Sequence, residues 1–409
     1  MPYQPVTNFV DSGGGDLGKN LITKDYFLTV YPEILNSLGN SGLIVTPELW
    51  SWGYNFNGQL GDNTNTSRST PVKTILQSGN WKSIASKRYN TAAIKTDGSL
   101  WLWGNNQNGQ LGNFSRGNTA SRSTPVTTRL GGTNWKSIAC GYENTVALKT
   151  DGTLWTWGRN FNGQLGVNNT TDRSTPVTTL LGGTNWKSIA SGYAHTVALK
   201  TDGTLWTWGR NDTGQLGVND TTDRNTPVTT LLNGTNWKSI ASGYGHIAAI
   251  KTDGTLWTWG RNTFGQLGVN NTTSRNTPVT TLLYGTNWKS IACGDEHTVA
   301  LKTDGTLWTW GRNSDGQLGI NDTISKSTPV TTLLGGFNWK SIGCGDDHTV
   351  ALKTDGTLWT WGRNSFGQLG INDTTSRSTP VTTLLGGTYW KSIAGGDGHT
   401  VAIQSVDYI

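Results

Sequence analysis

Four short runs recur along the chain, and none spaces its apolar residues at the 3.6-residue period of an amphipathic helix. In one copy they cover Trp186 to Gly192, His195 to Thr201, Thr204 to Gly209 and Val228 to Leu232, with Gly, Asn, Asp or Pro at their borders. Runs of this length, rich in Trp, Val, Ile, Leu and Thr, predict β-strands. Asp202-Gly203 lies between the second and third runs and marks a hairpin, because glycine accepts the positive φ of a tight turn. Pro227 stands at the head of the fourth, which predicts an outermost strand, where a missing N–H interrupts least pairing. In Leu205-Trp206-Thr207-Trp208-Gly209 the two indoles are two residues apart. They therefore share one sheet face, toward one neighbouring unit, while Leu205 and Thr207 share the other.

The same unit returns along the chain. Trp-x-Trp-Gly opens at residues 50, 101, 155, 206, 257, 308 and 359, with five spacings of 51 residues and one of 54. Each copy is followed by Gly-Gln-Leu-Gly, then by a polar loop ending in Thr-Pro-Val, and then by Trp-Lys-Ser-Ile. A period near 50 with four strands per unit is that of a propeller blade. The fold class is all-β: a seven-bladed β-propeller of four-stranded blades, spanning residues 43–409. The first Trp-x-Trp-Gly precedes any Trp-Lys-Ser strand, whereas the chain finishes just after Trp390-Lys391-Ser392 and His399 to Ile403. The seventh blade is thus expected to combine the two C-terminal inner strands with the two N-terminal outer ones, a closure that leaves no free sheet edge. Residues 1–42 lie outside the repeat. Gly13-Gly14-Gly15 reads as a joint and Thr23 as the N-cap of a short helix over Lys24 to Tyr31, which Pro32 ends.

Composition sharpens this reading. Only 33% of the residues are hydrophobic and 55 are glycine, yet 21 are tryptophan, and every Trp falls at a repeat position, so the tryptophans are the core. Cys140, Cys293 and Cys344 occupy a position filled elsewhere by Ser86, Ser191, Ser242 and Gly395; they read as free thiols in a small-residue slot. Neither a secretory leader nor a membrane span is expected, since no basic region precedes an apolar run and no stretch of about 18 apolar residues occurs. The net charge of +6 could suggest nucleic acid. The basic residues recur blade by blade, however, and predict rings without a patch, so no nucleic-acid partner is expected.

Trp-Gly-Arg-Asn-x-x-Gly-Gln-Leu-Gly, together with Gly-x-x-His-Thr-Val-Ala-Leu and Asp-Gly, resembles the regulator-of-chromosome-condensation repeat family over residues 49–409. That resemblance implies a seven-bladed propeller with a shared closing blade. Family members include a nucleotide-exchange factor for a small GTPase and an inhibitor of β-lactamases, so what it implies for function is binding. The leader from Asp16 to Glu33 resembles segments of virion structural proteins of marine tailed phages. The expectation is therefore a non-enzymatic protein-binding component of a phage virion, anchored to a larger assembly through residues 1–42, with a homo-oligomer in that assembly as one expected arrangement. The alternative is a regulator or inhibitor of a partner enzyme.

His195, His246, His297, His348 and His399 share one repeat position with Asn90 and Asn144. Asn keeps a hydrogen-bonding amide but is a poor transition-metal ligand, so the histidines are expected to make structural hydrogen bonds. Loops such as Asn219-Asp220-Thr221 lack the acidic ladder of a calcium site. No unusual cluster of nucleophile, base and orienting group breaks the sevenfold pattern, so neither catalysis nor a cofactor is expected. Near-identical blades disagree at two pairs of positions. Before the His/Asn position they carry Arg88-Tyr89, Tyr142-Glu143, Tyr193-Ala194, Tyr244-Gly245, Asp295-Glu296, Asp346-Asp347 and Asp397-Gly398; before Gly-Gln-Leu-Gly they carry Phe56, Phe161, Phe264 or Phe366 in four blades. Both loops leave an up-and-down blade by the same end. That end is the expected binding face, with Tyr89, Tyr142, Tyr193 and Tyr244 on one side, Asp295, Asp346 and Asp397 on the other, all at exposed tips.

Overall fold

The structure, a computed structural model, describes residues 44–76, 79–117, 119–232, 234–283, 285–387 and 389–408. Pro47–Gln404 form one compact unit, and Met1–Thr46 with Ser405–Ile409 are grouped in a second. The expected helix at Lys24 to Tyr31 and the anchoring extension of residues 1–42 lie outside the described residues.

Blade 1 is built from Trp81–Lys87, Asn90–Lys95, Leu100–Gly104 and Arg122–Thr127, paired in that order. The pattern repeats in blades 2 to 6, which begin at Trp135, Trp186, Trp237, Trp288 and Trp339. Blade 7 is ordered Arg68–Lys73, Ile44–Gly53, His399–Tyr408, Trp390–Gly395, so the ring closes through a sheet shared by the two ends of the chain. In blade 3 the strands are Trp186–Ser191, His195–Lys200, Leu205–Gly209 and Arg224–Thr229. The first three match the expected runs to within a residue. The fourth begins four residues earlier than expected, so Pro227 lies inside the strand and not at its head. It is tolerated because this is the outer strand, and the pairing with Leu205–Gly209 is already irregular, Thr207 facing Val228 and Gly209 facing Arg224. Gly203 in the hairpin turn has φ +81°. A Cβ there would stand 2.0 Å from the carbonyl oxygen of Thr235, so the turn and its seat on the next blade both require glycine.

Blades are held together by their second indoles. Trp208 packs with Trp186 and Ala198 against Val146, Leu148 and Leu154 of blade 2, and its Nε1 donates to the carbonyl of Gln164 in that blade at 2.9 Å. The same bond recurs round the ring, as from Trp103 to Gln59 and from Trp52 to Gln368. Leu205 faces the other way, onto Trp237, Ile247 and Trp259 of blade 4. Fully burying one such indole contributes an upper bound of about 4–6 kcal/mol. The first indole of each pair is only half-buried. Trp206 Nε1 donates to Thr204 Oγ1 at 3.0 Å, and Lys200 Nζ sits 4.5 Å from the Trp206 ring centroid and 5.0 Å from that of Trp186, a cation–π contact that uses the lysine of the Leu-Lys-Thr segment.

Candidate functional site

One end of the ring, here the upper face, carries the loops between first and second strands and between third and fourth strands. The opposite, lower face carries the Asp-Gly turns and the connections from each outer strand to the next blade. Both variable pairs emerge on the upper face, as the strand order requires.

At its centre the first variable residues form a belt. The backbone N–H of Tyr193 donates to the carbonyl of Tyr244 at 3.3 Å, Tyr244 to Asp295 at 3.2 Å, Asp295 to Asp346 at 3.0 Å and Asp397 to Arg88 at 3.0 Å. The rings follow the backbone: Tyr142 and Tyr193 have centroids 4.5 Å apart, Tyr193 and Tyr244 4.3 Å, and the Arg88 guanidinium lies 3.7 Å from the Tyr142 centroid. On the far side Tyr89, Tyr54, Phe56 and Phe366 form a second aromatic group, with Tyr54 5.5 Å from Tyr89 and 4.6 Å from Phe366. Tyr89, Tyr142, Tyr193, Tyr244, Asp295 and Asp397 are half-buried, and Asp346 is buried. This corrects the expectation of exposed tips. The loops converge on the axis, where their side chains cover one another.

The residue that organises the acidic side is Lys87, which the comparison of variable pairs passed over. Its Nζ reaches Asp295 Oδ1 at 2.9 Å and Asp346 Oδ1 at 2.9 Å, and its side chain is almost fully buried. Burial alone would lower the ammonium pKa, but the two carboxylates outweigh it and hold Lys87 above its usual value. Asp346 is pushed well above the usual carboxylate range by burial, with the Asp295 charge adding to it, and Asp397 is raised for the same two reasons. Asp347 is raised to about 6, chiefly by burial. The sequence signal for Lys87 was available: the other six blades have glycine at this position, from Gly141 to Gly396. At Gly192 a Cβ would lie 2.2 Å from the His195 ring. Blade 1 escapes this because Asn90 replaces histidine and turns its amide toward the carbonyl of Asn105.

The five histidines are fully buried between blades. His195 Nε2 lies 2.7 Å from Ser242 Oγ of the next blade and His399 Nε2 2.7 Å from Ser86 Oγ. Where Cys293, Cys344 or Gly395 takes the serine position, His246, His297 and His348 use Thr298, Thr349 and Thr400 at 2.9–3.0 Å instead. Burial lowers each histidine pKa to about 3, so the rings are neutral partners in blade-to-blade bonds.

Around the belt runs a circle of arginines from Trp-Gly-Arg. Arg159 pairs with Glu143, Arg261 with Glu296 at 3.1 Å, Arg312 with Glu296 at 3.3 Å and Asp347 at 3.5 Å, and Arg363 with Asp347 at 3.5 Å. Outside them the second variable loops project. Phe56 and Phe161 are 70% and 71% exposed. Phe366 is at the edge of exposure and Phe264 is half-buried beside Arg312, whose guanidinium is 5.6 Å from its centroid. The two pairs differ because Phe56 and Phe161 hold the outer position of the loop, and Phe264 and Phe366 the inner one. Blade 1 carries three extra residues, the source of the 54-residue spacing. Its Arg116, with Gln107, Glu143, Arg159 and Phe161, lines an open cleft of about 510 Å³.

Residues 39–238 and 225–407 match the description of the RCC1-like domain. The chain belongs to the RCC1-like domain family. It is 33% identical over 365 residues to the ultraviolet-B receptor UVR8 of Arabidopsis thaliana, covering 87% of this chain and 81% of that protein. It is also 30% identical over 379 residues to the human E3 ubiquitin-protein ligase HERC2, covering 90% of this chain but only 8% of that protein. Among solved structures, yeast RCC1 (Prp20) bound to Kap60 superposes with a TM-score of 0.78 at 23% identity, covering 90% of each chain. These similarities establish the seven-bladed RCC1-like propeller. They lend no support to the phage-virion expectation.

Proposed function

We propose that this RCC1-like propeller is a non-enzymatic, protein-binding regulator that engages its partner through the upper face. The observation that carries this reading is that both variable pairs of the otherwise near-identical blades emerge on that face. Phe56 and Phe161 project there beside an arginine circle and an acidic centre, and exposed aromatics next to arginine are the groups that dominate binding energy at protein interfaces. The relatives agree in kind, one being a receptor and another having been captured with Kap60. The half-buried tyrosines act as the rigid floor of the surface, and the outer phenylalanines and the blade 1 cleft are its anchors.

The test is affinity capture from the source cells with the parent chain and with a Phe56→Ala/Phe161→Ala variant. Both exchanges are at exposed positions and should change stability by no more than about 0.5 kcal/mol, while each anchor lost should cost about 2 kcal/mol of partner affinity. A partner retained in full by the double variant would move the contact elsewhere.

A further inference from the structure

The lower face carries a chemistry that the upper-face reading does not use. The lysine of every Trp-Lys-Ser segment, from Lys82 to Lys391, is exposed at the start of an inner strand. Among the described residues none of these seven makes an ion pair or a side-chain hydrogen bond. The other lysine ring, from Lys95 to Lys353, lies over the tryptophans, and the carboxylates of the Asp-Gly turns, from Asp97 to Asp355, equal it in number. Among the described residues the Trp-Lys-Ser ring is therefore left as uncompensated positive charge on the lower face. Successive inner strands are neighbours around the axis, so this ring is the innermost set of basic positions on the lower face.

Apolar side chains encircle that charge. The second residue of the connection from an outer strand to the next blade is apolar in six of the seven cases, and Leu180, Leu231, Leu333 and Leu384 are all more than half exposed. The connection from blade 5 to blade 6 adds Phe337, which is 74% exposed beside Leu334. A repeated circle of bare aliphatic tips is not the ordinary scatter of surface hydrophobics.

We infer that the lower face docks peripherally on an anionic lipid surface, the leucine and phenylalanine tips entering the headgroup boundary while the lysine ring meets the phosphates and carboxylates. Charge complementarity fixes the sign of the surface, and the aliphatic circle selects lipid over nucleic acid, which would leave those tips uncovered. The near-identity of the seven copies points the same way: a laterally uniform surface engages all blades alike, whereas a folded partner singles out one sector. This inference is independent of the upper-face reading and leaves that face turned outward for a protein.

The experiment is co-sedimentation of the full chain with phosphatidylcholine vesicles, with or without about 30 mol % phosphatidylserine. Binding should be at least about tenfold tighter to the anionic vesicles and should weaken as salt rises. Lys136→Glu/Lys187→Glu/Lys238→Glu should abolish the anionic preference, each lysine engaged being worth about fivefold. Leu333→Ser/Leu334→Ser/Phe337→Ser should weaken binding by about tenfold or more, and Phe56→Ala/Phe161→Ala should bind vesicles as the parent does. Circular dichroism confirms that each variant is folded. Absence of anionic binding by the parent overturns the inference. So does parent-like vesicle binding by the Leu/Phe variant, together with equal affinity for duplex DNA, which would make the lysine ring a general polyanion site.

Discussion

Mild acid should open this propeller at its blade interfaces. Five histidines are fully buried with Nε2 bonded to a hydroxyl of the next blade, and burial holds each near a pKa of about 3. The unfolded chain binds the same protons near 6.5. A depressed folded pKa contributes stability that is complete above 6.5 and is lost as pH falls toward 3. Each group loses about 1 kcal/mol between pH 6.5 and 5.5 and approaches about 1.4 kcal/mol per pH unit below that, so five together cost about 5 kcal/mol over the first of these units. That is comparable with the whole stability of an ordinary domain. Asp346, Asp347 and Asp397 work in the opposite sense, since their pKa values are raised and protonating them favours the fold. Three carboxylates can return at most about 4 kcal/mol over one pH unit, so the histidines prevail. Thermal melts followed by tryptophan fluorescence between pH 7.5 and 4.5 read the effect. Blade 2 shows how to remove it: Asn144 Nδ2 donates to Ser191 Oγ at 3.1 Å from the same position. A protein with all five histidines changed to Asn should shift its acid transition down by a pH unit or more. A parent that melts at one temperature throughout this range, or an Asn variant with an unchanged acid midpoint, would show that the buried histidines do not set the acid transition.

Three further perturbations follow from the geometry. Lys87→Met leaves Asp295 and Asp346 facing each other without their cation, and should cost about 3–5 kcal/mol in urea unfolding; an unchanged midpoint would show that the two carboxylates do not need it. Ending the chain before Trp390 strips both inner strands from blade 7 and exposes the edges of its remaining pair, so cooperative melting should be lost; a truncated chain melting at the parent temperature contradicts the shared blade. Tyr193→Ala, which empties the middle of the Tyr142–Tyr193–Tyr244 stack, should cost about 1–3 kcal/mol by chemical denaturation; a neutral result would return these tyrosines to the role of free tips.

Most of the fold could be read from the chain because every structural choice is made seven times. Trp208 and Leu205 face opposite neighbours as their two-residue alternation requires, and Gly203 has the positive φ that its turn demands. The hydrogen-bonding role of His195 and its equivalents followed from their exchange with asparagine. What escaped were singular residues and the effects of convergence on an axis. Lys87 differs from glycine in one blade only, and its partners Asp295 and Asp346 lie more than 200 residues away, across the ring; nothing local announces that reach. Half-burial of Tyr142, Tyr193 and Tyr244 arises because seven loops share one small circle, a property of the closed ring and not of any blade. Pro227 sits inside its strand because a local irregularity of pairing, invisible in composition, frees the position.

The upper face as the protein contact is the central claim, and site-specific photo-crosslinking tests it most directly. A photoreactive phenylalanine analogue placed at Phe161, in the mouth of the blade 1 cleft, and at Phe337, on the opposite end of the ring, is irradiated in the full chain within the source cells. A discrete protein adduct is expected from position 161 and none of the same mass from position 337. The same adduct from both positions, or from 337 alone, would contradict it.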